Sequence, residues 1–303
     1  MKPKMPVWRS LLYVPANVEK FVDKAHTRGA DCIQLDLEDS VPPSEKEAAR
    51  RAVKQAAARV RRGGADVVVR VNSPMEITEQ DLDASICPDV DGIAITKTVN
   101  ADHVRRIAEH ISRLEIEQGL TTGHTRLIAM IESPAAFFEM PAIAAANPRL
   151  VAMVIGGEDF ALATGMEPSE ATLLMPKQQM IFAARAAGIM PLGFIDSLAS
   201  FADLDAFAKM VQRSRQFGFM GAGCIHPGQV PIVNQYYSPS PEEVAYATRV
   251  VEGDAVHAAA GRGSWSLDGK MIDVPVVVRA QRLLERHAAI MARTARPTDR
   301  PQP

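Results

Sequence analysis

Acidic side chains recur in this sequence where apolar runs stop. LVAMVI runs into Gly156-Gly157-Glu158-Asp159, LIAMI runs into Glu132, and CIQLDL carries Asp36 and leads to Glu38 and Asp39. Arg70 and Asn72 close VVVRVN, Lys97 closes GIAITK, Asp196 closes LGFID and His226 closes GAGCIH. Charges at the edge of buried segments are costly unless paired or metal-bound. Several carboxylates converging on one place repel each other and need a compensating cation, whether Arg, Lys or a metal ion. Oxygen ligands without a nearby cysteine favour Mg²⁺ over zinc. Glu132 and Asp159, on consecutive runs, are the candidate ligand pair. Gly156 and Gly157 allow a tight turn and close approach of a ligand. Gly157 and Glu158 are therefore read as substrate-binding positions, with Glu158 also able to orient a neighbour.

Each residue has a plainer reading. Asp159 suits the N-cap of a short helix over 160–164. Glu132 suits punctuation before the Ser133-Pro134 helix start, and Arg70 an ion pair with Glu38. His226, before Pro227, suits a turn. Lys97 at a strand end suggests a Schiff base, but ion pairing is commoner. The conjunction of these groups on one rim is what points to a site.

A rim requires elements that converge. Apolar runs at 10–15, 31–38, 66–73, 92–97, 126–133, 150–156, 189–197 and 217–226 read as strands buried on both faces. Helical patterns separate them, at 18–29, 44–60 (a capping box, Ser44 with Glu47), 100–119, 134–146, 177–188 and 198–217. The alternation predicts an α/β fold, a (β/α)8 TIM barrel over 7–237, with its active site at the C-terminal ends of the strands. A doubly wound sheet is disfavoured because no G-x-G-x-x-G follows the first strand. From residue 238 the pattern changes to a capped helix, a Gly-rich loop and a helix over 272–292. This predicts a C-terminal helical extension over 238–295 and a disordered Pro-rich tail over 296–303.

Composition narrows the function. The 303 residues are 47% hydrophobic with a net charge of −2, so nothing argues for nucleic acid or an anionic membrane. No apolar window reaches the ~18–20 residues of a membrane span, and the N-terminus does not read as a signal peptide. Three scattered cysteines read as small buried residues of a cytoplasmic protein.

RSLLYVPAN, DCIQLDLEDSVPPSEKEAAR, VVVRVNS, IAMIESPAAF, VIGGEDFALATG, GFMGAGCIHPGQV and GKMIDVPVV together resemble the citrate lyase β-subunit-like proteins of the HpcH/HpaI aldolase superfamily. The likeness spans about residues 7–290, with seven motifs in order. It implies a Mg²⁺-dependent lyase in trimers or hexamers. Such an enzyme cleaves or forms a C–C bond in a 3-hydroxy-3-carboxyacyl thioester such as malyl-CoA, methylmalyl-CoA, citramalyl-CoA or a citryl thioester. It also implies roles. Glu132 and Asp159 match the metal ligands, and Arg70 the arginine that grips the oxo-acid carboxylate. Asp273 resembles the acidic residue that the extension lends to a neighbouring subunit. Asp273 or Glu38 would carry the proton, and Arg9 would assist at the enolate or thioester. Asp273 also suits an N-cap of the last helix. Lys20 and Arg28 are candidates for contacting coenzyme A. Rival readings are a malyl-CoA thioesterase, a partner-dependent citrate lyase β subunit, a metal-dependent pyruvate aldolase, and a non-catalytic barrel that binds an acyl carrier.

Overall fold

A computed structural model describes residues 5–197 and 203–295. It divides into a unit ending at Tyr237 and a unit spanning Ser238–Pro297.

In the first unit eight strands lie parallel: β1 (Ser10–Pro15), β2 (Cys32–Asp36), β3 (Asp66–Val71), β4 (Gly92–Ile95), β5 (Arg126–Ile131), β6 (Leu150–Ile155), β7 (Met190–Leu192) and β8 (Ala222–Cys224). Each pairs with the next from β1 to β7, and β8 pairs with β1. A single bridge, Leu192 with Gly221, joins β7 to the β8 side and brings the sheet round into a barrel. The strands are buried on both faces. One cluster, including Leu11, Cys32, Val68, Ala94, Ile128 and Ala152, fills the barrel, and a larger one packs strands against helices.

The helices are α1 (Glu19–Ala25), α2 (Lys46–Val60), α3 (Met75–Ser85), α4 (Ala101–Glu117), α5 (Pro134–Phe138), α6 (Met140–Ala144), α7 (Gly157–Thr164), α8 (Glu170–Ala187), α9 (Leu204–Phe217) and α10 (Gln229–Tyr236). Several differ from the sequence pattern for local reasons. The expected helix over 134–146 is two helices, because Pro141 cannot donate into the preceding turn. Helix α8 starts seven residues early and runs through Pro176, its start fixed by a capping box of Ser169 and Thr172. The expected Ser44 capping box is absent: Pro43–Glu45 form a 3-10 turn, and α2 begins after Glu45 without a side-chain cap. Helix α9 begins at Leu204, and positions 198–202 of the expected 198–217 helix lie outside the described residues.

In the second unit α11 (Pro241–Ala259) has the capping box Ser240/Glu243. The Gly-rich stretch forms a hairpin, β9 (Trp265–Leu267) and β10 (Lys270–Ile272), tied to α11 by Arg249 and Asp268 at 2.8 Å. The last helix, α12 (Val274–Thr294), starts after Asp273, whose Oδ1 accepts the Val276 N–H at 3.3 Å. The predicted disordered tail, 296–303, lies outside the described residues.

Candidate active site

Strand alternation sets the mouth of the barrel. Tyr13, Asp36 and Arg70 come from β1, β2 and β3; Glu132 follows β5, and Gly156 follows β6. They border a cavity of about 860 Å³ together with Gly157, Glu158 and Asp159. Leu12, Val14, Phe21, Lys24, Arg28 and Ile225 also line it.

Asp36 and Arg70 are Cα partners in the β2–β3 register, so their side chains meet. The guanidinium reaches both Asp36 oxygens at 2.7 Å and Glu38 at 2.9 Å. Burial alone would raise the Asp36 carboxyl, but Arg70 outweighs it and holds it below the usual range. Glu38 also takes the Lys97 ammonium at 2.6 Å. Burial still lifts Glu38 above the usual carboxylate range. Lys97 reaches two carboxylates. Its left-handed backbone, φ 46°, aims its N–H at Glu132 Oε2, 2.8 Å away. A non-glycine residue adopts that conformation at a cost, and such strain gathers at functional sites.

Glu132 is 6% exposed. Burial, joined by the charges of Asp159 and Glu38, pushes its carboxyl up to about 7 against the Lys97 amide. Gly156 makes room for it: a Cβ there would lie 2.7 Å from Glu132 Cγ. Asp159 stands in the first turn of α7, whose N-cap is Gly156 without a side-chain bond, so the capping role does not apply. A buried carboxylate raised by a neighbouring carboxylate is a site short of positive charge, and that fits a divalent cation. No group of three or more potential His, Cys, Asp or Glu ligands exists among the described residues. A pair of carboxylates is a donor set that suits Mg²⁺, which keeps much of its hydration.

Other expected positions fall as follows. Arg9 does not reach the mouth. A residue preceding a parallel strand lies at the barrel's N-terminal end, and there Arg9 pairs with Asp31, which precedes β2, at 2.7 Å. Glu158 is exposed and accepts a hydrogen bond from the Ser197 hydroxyl. His226 Nδ1 accepts the Gly228 N–H at 3.1 Å, a turn contact beside the cavity. Lys20 lies over the Phe21 ring, while Arg28 borders the cavity. Asp273 belongs to the second unit and caps α12. Sequence reasoning missed Tyr13, hidden in an apolar run, whose ring lies 5.0 Å from Arg70 Cζ.

An eight-stranded α/β barrel with charged groups gathered at the C-terminal ends of its strands is the architecture of a barrel enzyme. The chain belongs to the HpcH/HpaI aldolase/citrate lyase family, which it matches over residues 9–227. It is 36% identical to citrate lyase subunit beta of Escherichia coli (strain K12), over 92% of each chain. It is 28% identical to the mitochondrial citramalyl-CoA lyase of Homo sapiens, over 90% of this chain and 83% of that protein. The crystal structure of CitE from Mycobacterium tuberculosis in complex with magnesium, acetoacetate and coenzyme A superposes with a TM-score of 0.72 at 26% identity, covering 94% of this chain and 99% of that one. No helix among the described residues is long and apolar enough to cross a membrane.

Proposed function

We propose that the chain is a cytoplasmic, Mg²⁺-dependent C–C lyase that cleaves or condenses a 3-hydroxy-3-carboxyacyl-CoA, such as malyl-CoA, methylmalyl-CoA or citramalyl-CoA. The products of cleavage are a 2-oxo acid and an acyl-CoA. The observation that carries this is the mixed lining of one cavity. Glu132, Asp159 and Arg70 share it with the apolar Leu12, Val14, Phe21 and Ile225 and with Lys24 and Arg28. The carboxylates and Arg70 suit a hydroxy acid, the apolar lining suits a pantetheine arm, and Lys24 and Arg28 suit its phosphates.

Glu132 and Asp159 would hold the Mg²⁺, which when bound supplies Lewis-acid stabilisation of negative charge on oxygen. Arg70 binds the substrate carboxylate, and Asp36 fixes the plane of its guanidinium so that the fork is presented in one orientation. Glu38, pinned between Arg70 and Lys97, positions both cations; this favours another carboxylate as the proton carrier. That carrier is Asp273 of a neighbouring copy in a homo-oligomer with shared sites. It takes the hydroxyl proton as the C–C bond breaks. Gly157 keeps the start of α7 open to the substrate, and Glu158 braces Ser197.

A panel of malyl-, methylmalyl-, citramalyl- and citryl-CoA with Mg²⁺, read by oxo-acid trapping and thiol release, tests this. Glyoxylate or pyruvate without free thiol is the expected result. Free thiol with no oxo acid would mean a thioesterase and overturn the reading. Turnover of a citryl thioester only on an acyl carrier protein would turn it toward a citrate lyase β subunit.

A further inference from the structure

Strand β1 lines the cavity from both of its faces. Its alternation sends Leu12 and Val14 toward the helices and Tyr13 into the barrel, and all three border the cavity. On the proposed lyase reading, on which this inference rests, a thioester whose reacting carbon lies beside Glu132 and Asp159 shares the cavity with Tyr13. The Tyr13 ring is held in place from two sides. Arg70 lies against it, and Gly223 gives it room, since a Cβ at 223 would stand 2.7 Å from Tyr13 Cε2.

The Tyr13 hydroxyl proton has no acceptor among the described residues. Tyr237 is a useful contrast, because its buried hydroxyl donates to the Gly193 carbonyl at 2.6 Å. Behind Tyr13 stands its register partner Gln34, 3% exposed. The Gln34 amide lies near the Tyr13 oxygen, yet its Nε2 meets no partner at hydrogen-bonding geometry. A buried amide left short of a bond is uncommon and calls for a reason. Burial raises the phenol, outweighing the lowering by Arg70, so the group is a neutral O–H donor across the working pH range.

We propose that Tyr13 is a further catalytic residue, donating a hydrogen bond to the thioester oxygen on which enolate charge gathers, with Gln34 as the positioning residue behind it. As the C–C bond breaks, its electron pair moves into the thioester and the carbonyl oxygen becomes the enolate oxygen. Tyr13 keeps its proton and ends unchanged. The Gln34 N–H settles on the Tyr13 oxygen, turning the O–H toward the substrate.

Tyr13→Phe tests this, since it keeps the ring in its slot and against Arg70. With the best thioester of the panel, kcat falls by about 10²-fold, the size of losing one oxyanion donor. KM stays within about threefold, because the bond forms mainly in the transition state. Deuterium exchange into the acyl-CoA product, which requires the same enolate, slows in parallel. Gln34→Leu lowers kcat less, and adds nothing in the Tyr13→Phe background. An unchanged kcat, or a raised KM with kcat intact, overturns the proposal. A Gln34→Leu effect that persists in full without the hydroxyl overturns the positioning role. Failure of the lyase reading shows separately, as no turnover of any thioester by the unaltered enzyme, and takes this inference with it.

Discussion

Two buried glutamates, one at each end of the barrel, are held in opposite ways. At the N-terminal end Glu115 is 0% exposed and accepts four hydrogen bonds: two from Arg149 at 2.6 and 2.8 Å, one from the Thr125 N–H at 2.7 Å and one from the Gly123 N–H at 2.8 Å. Burial would raise its pKa, but Arg149 and these amides hold it below the usual range. Arg9–Asp31 and Arg61–Asp91 close the same end in the same manner. At the C-terminal end Glu132, 6% exposed, accepts only the Lys97 N–H among the described residues, and burial with the charges of Asp159 and Glu38 lifts it to about 7. The side chain is the same and the burial nearly so. The difference is the supply of partners, and it separates a carboxylate that holds the fold from one left with affinity to spend on a ligand.

The largest effect is expected at the mouth. Glu132→Gln and Asp159→Asn should each weaken Mg²⁺ binding by more than about 10²-fold, beyond what losing a ligand's supporting partner costs, and stop cleavage. Calorimetry measures this, and unchanged affinity in both variants removes the ligand pair. Next comes the opposite end. Arg149→Met leaves Glu115 buried without its counter-charge, which costs about 3–5 kcal/mol. Denaturant unfolding should show that loss, while Mg²⁺ affinity of the folded protein stays the same. Wild-type stability in this variant would dissolve the contrast between the ends.

A smaller effect sharpens the comparison through pH. Metal-free Glu132 titrates at about 7 when folded, against 4.5 for an ordinary glutamate. Its contribution to stability is therefore present below pH ~4.5 and lost as pH rises through about 7. In the presence of a chelator at pH 8, Glu132→Gln should be more stable than wild type by roughly 1–3 kcal/mol. The gap should close as the pH falls toward 4.5. Saturating Mg²⁺ should reverse the order, because only the carboxylate gains from binding. Equal stability at pH 8 without metal would show that Glu132 carries no electrostatic penalty.

The barrel was legible because a strand buried on two faces leaves a bare apolar run, and eight such runs left little choice of architecture. Helix α3 was not legible. Its buried face presents Thr78, Asp81 and Ser85 beside Leu82, so no apolar stripe marks it. Asp81 earns its burial by accepting from the Asn72 backbone and side chain and from Arg50, partners that sequence spacing does not reveal. At the mouth, Glu132, Asp159 and Arg70 stood out as charges ending apolar runs. Asp36 did too, but its role as the clamp on Arg70 needed the β2–β3 register. Arg9 was misplaced because a charge beside a strand is visible in sequence, while the end of the barrel it serves follows from chain direction and from its partner Asp31. Tyr13 stayed hidden because an aromatic residue inside an apolar run reads as core.

Asp273 offers the smallest effect on the fold and the clearest separation of cap from chemistry. In its own chain it accepts the Val276 N–H and starts α12. Asp273→Ala should cost about 1 kcal/mol as a lost cap, whereas Asp273→Asn should cost almost nothing, since Asn caps as well as Asp. A proton carrier ranks the two variants differently. Neither Asn nor Ala can take the hydroxyl proton, so both should lose activity alike, by about 10²–10⁴-fold. Thermal unfolding and cleavage rates measured on the same pair decide it. If activity follows stability, with Asp273→Asn fully active, the cap is the whole role of this residue. The mouth of the barrel would then have to find its proton carrier among its own carboxylates.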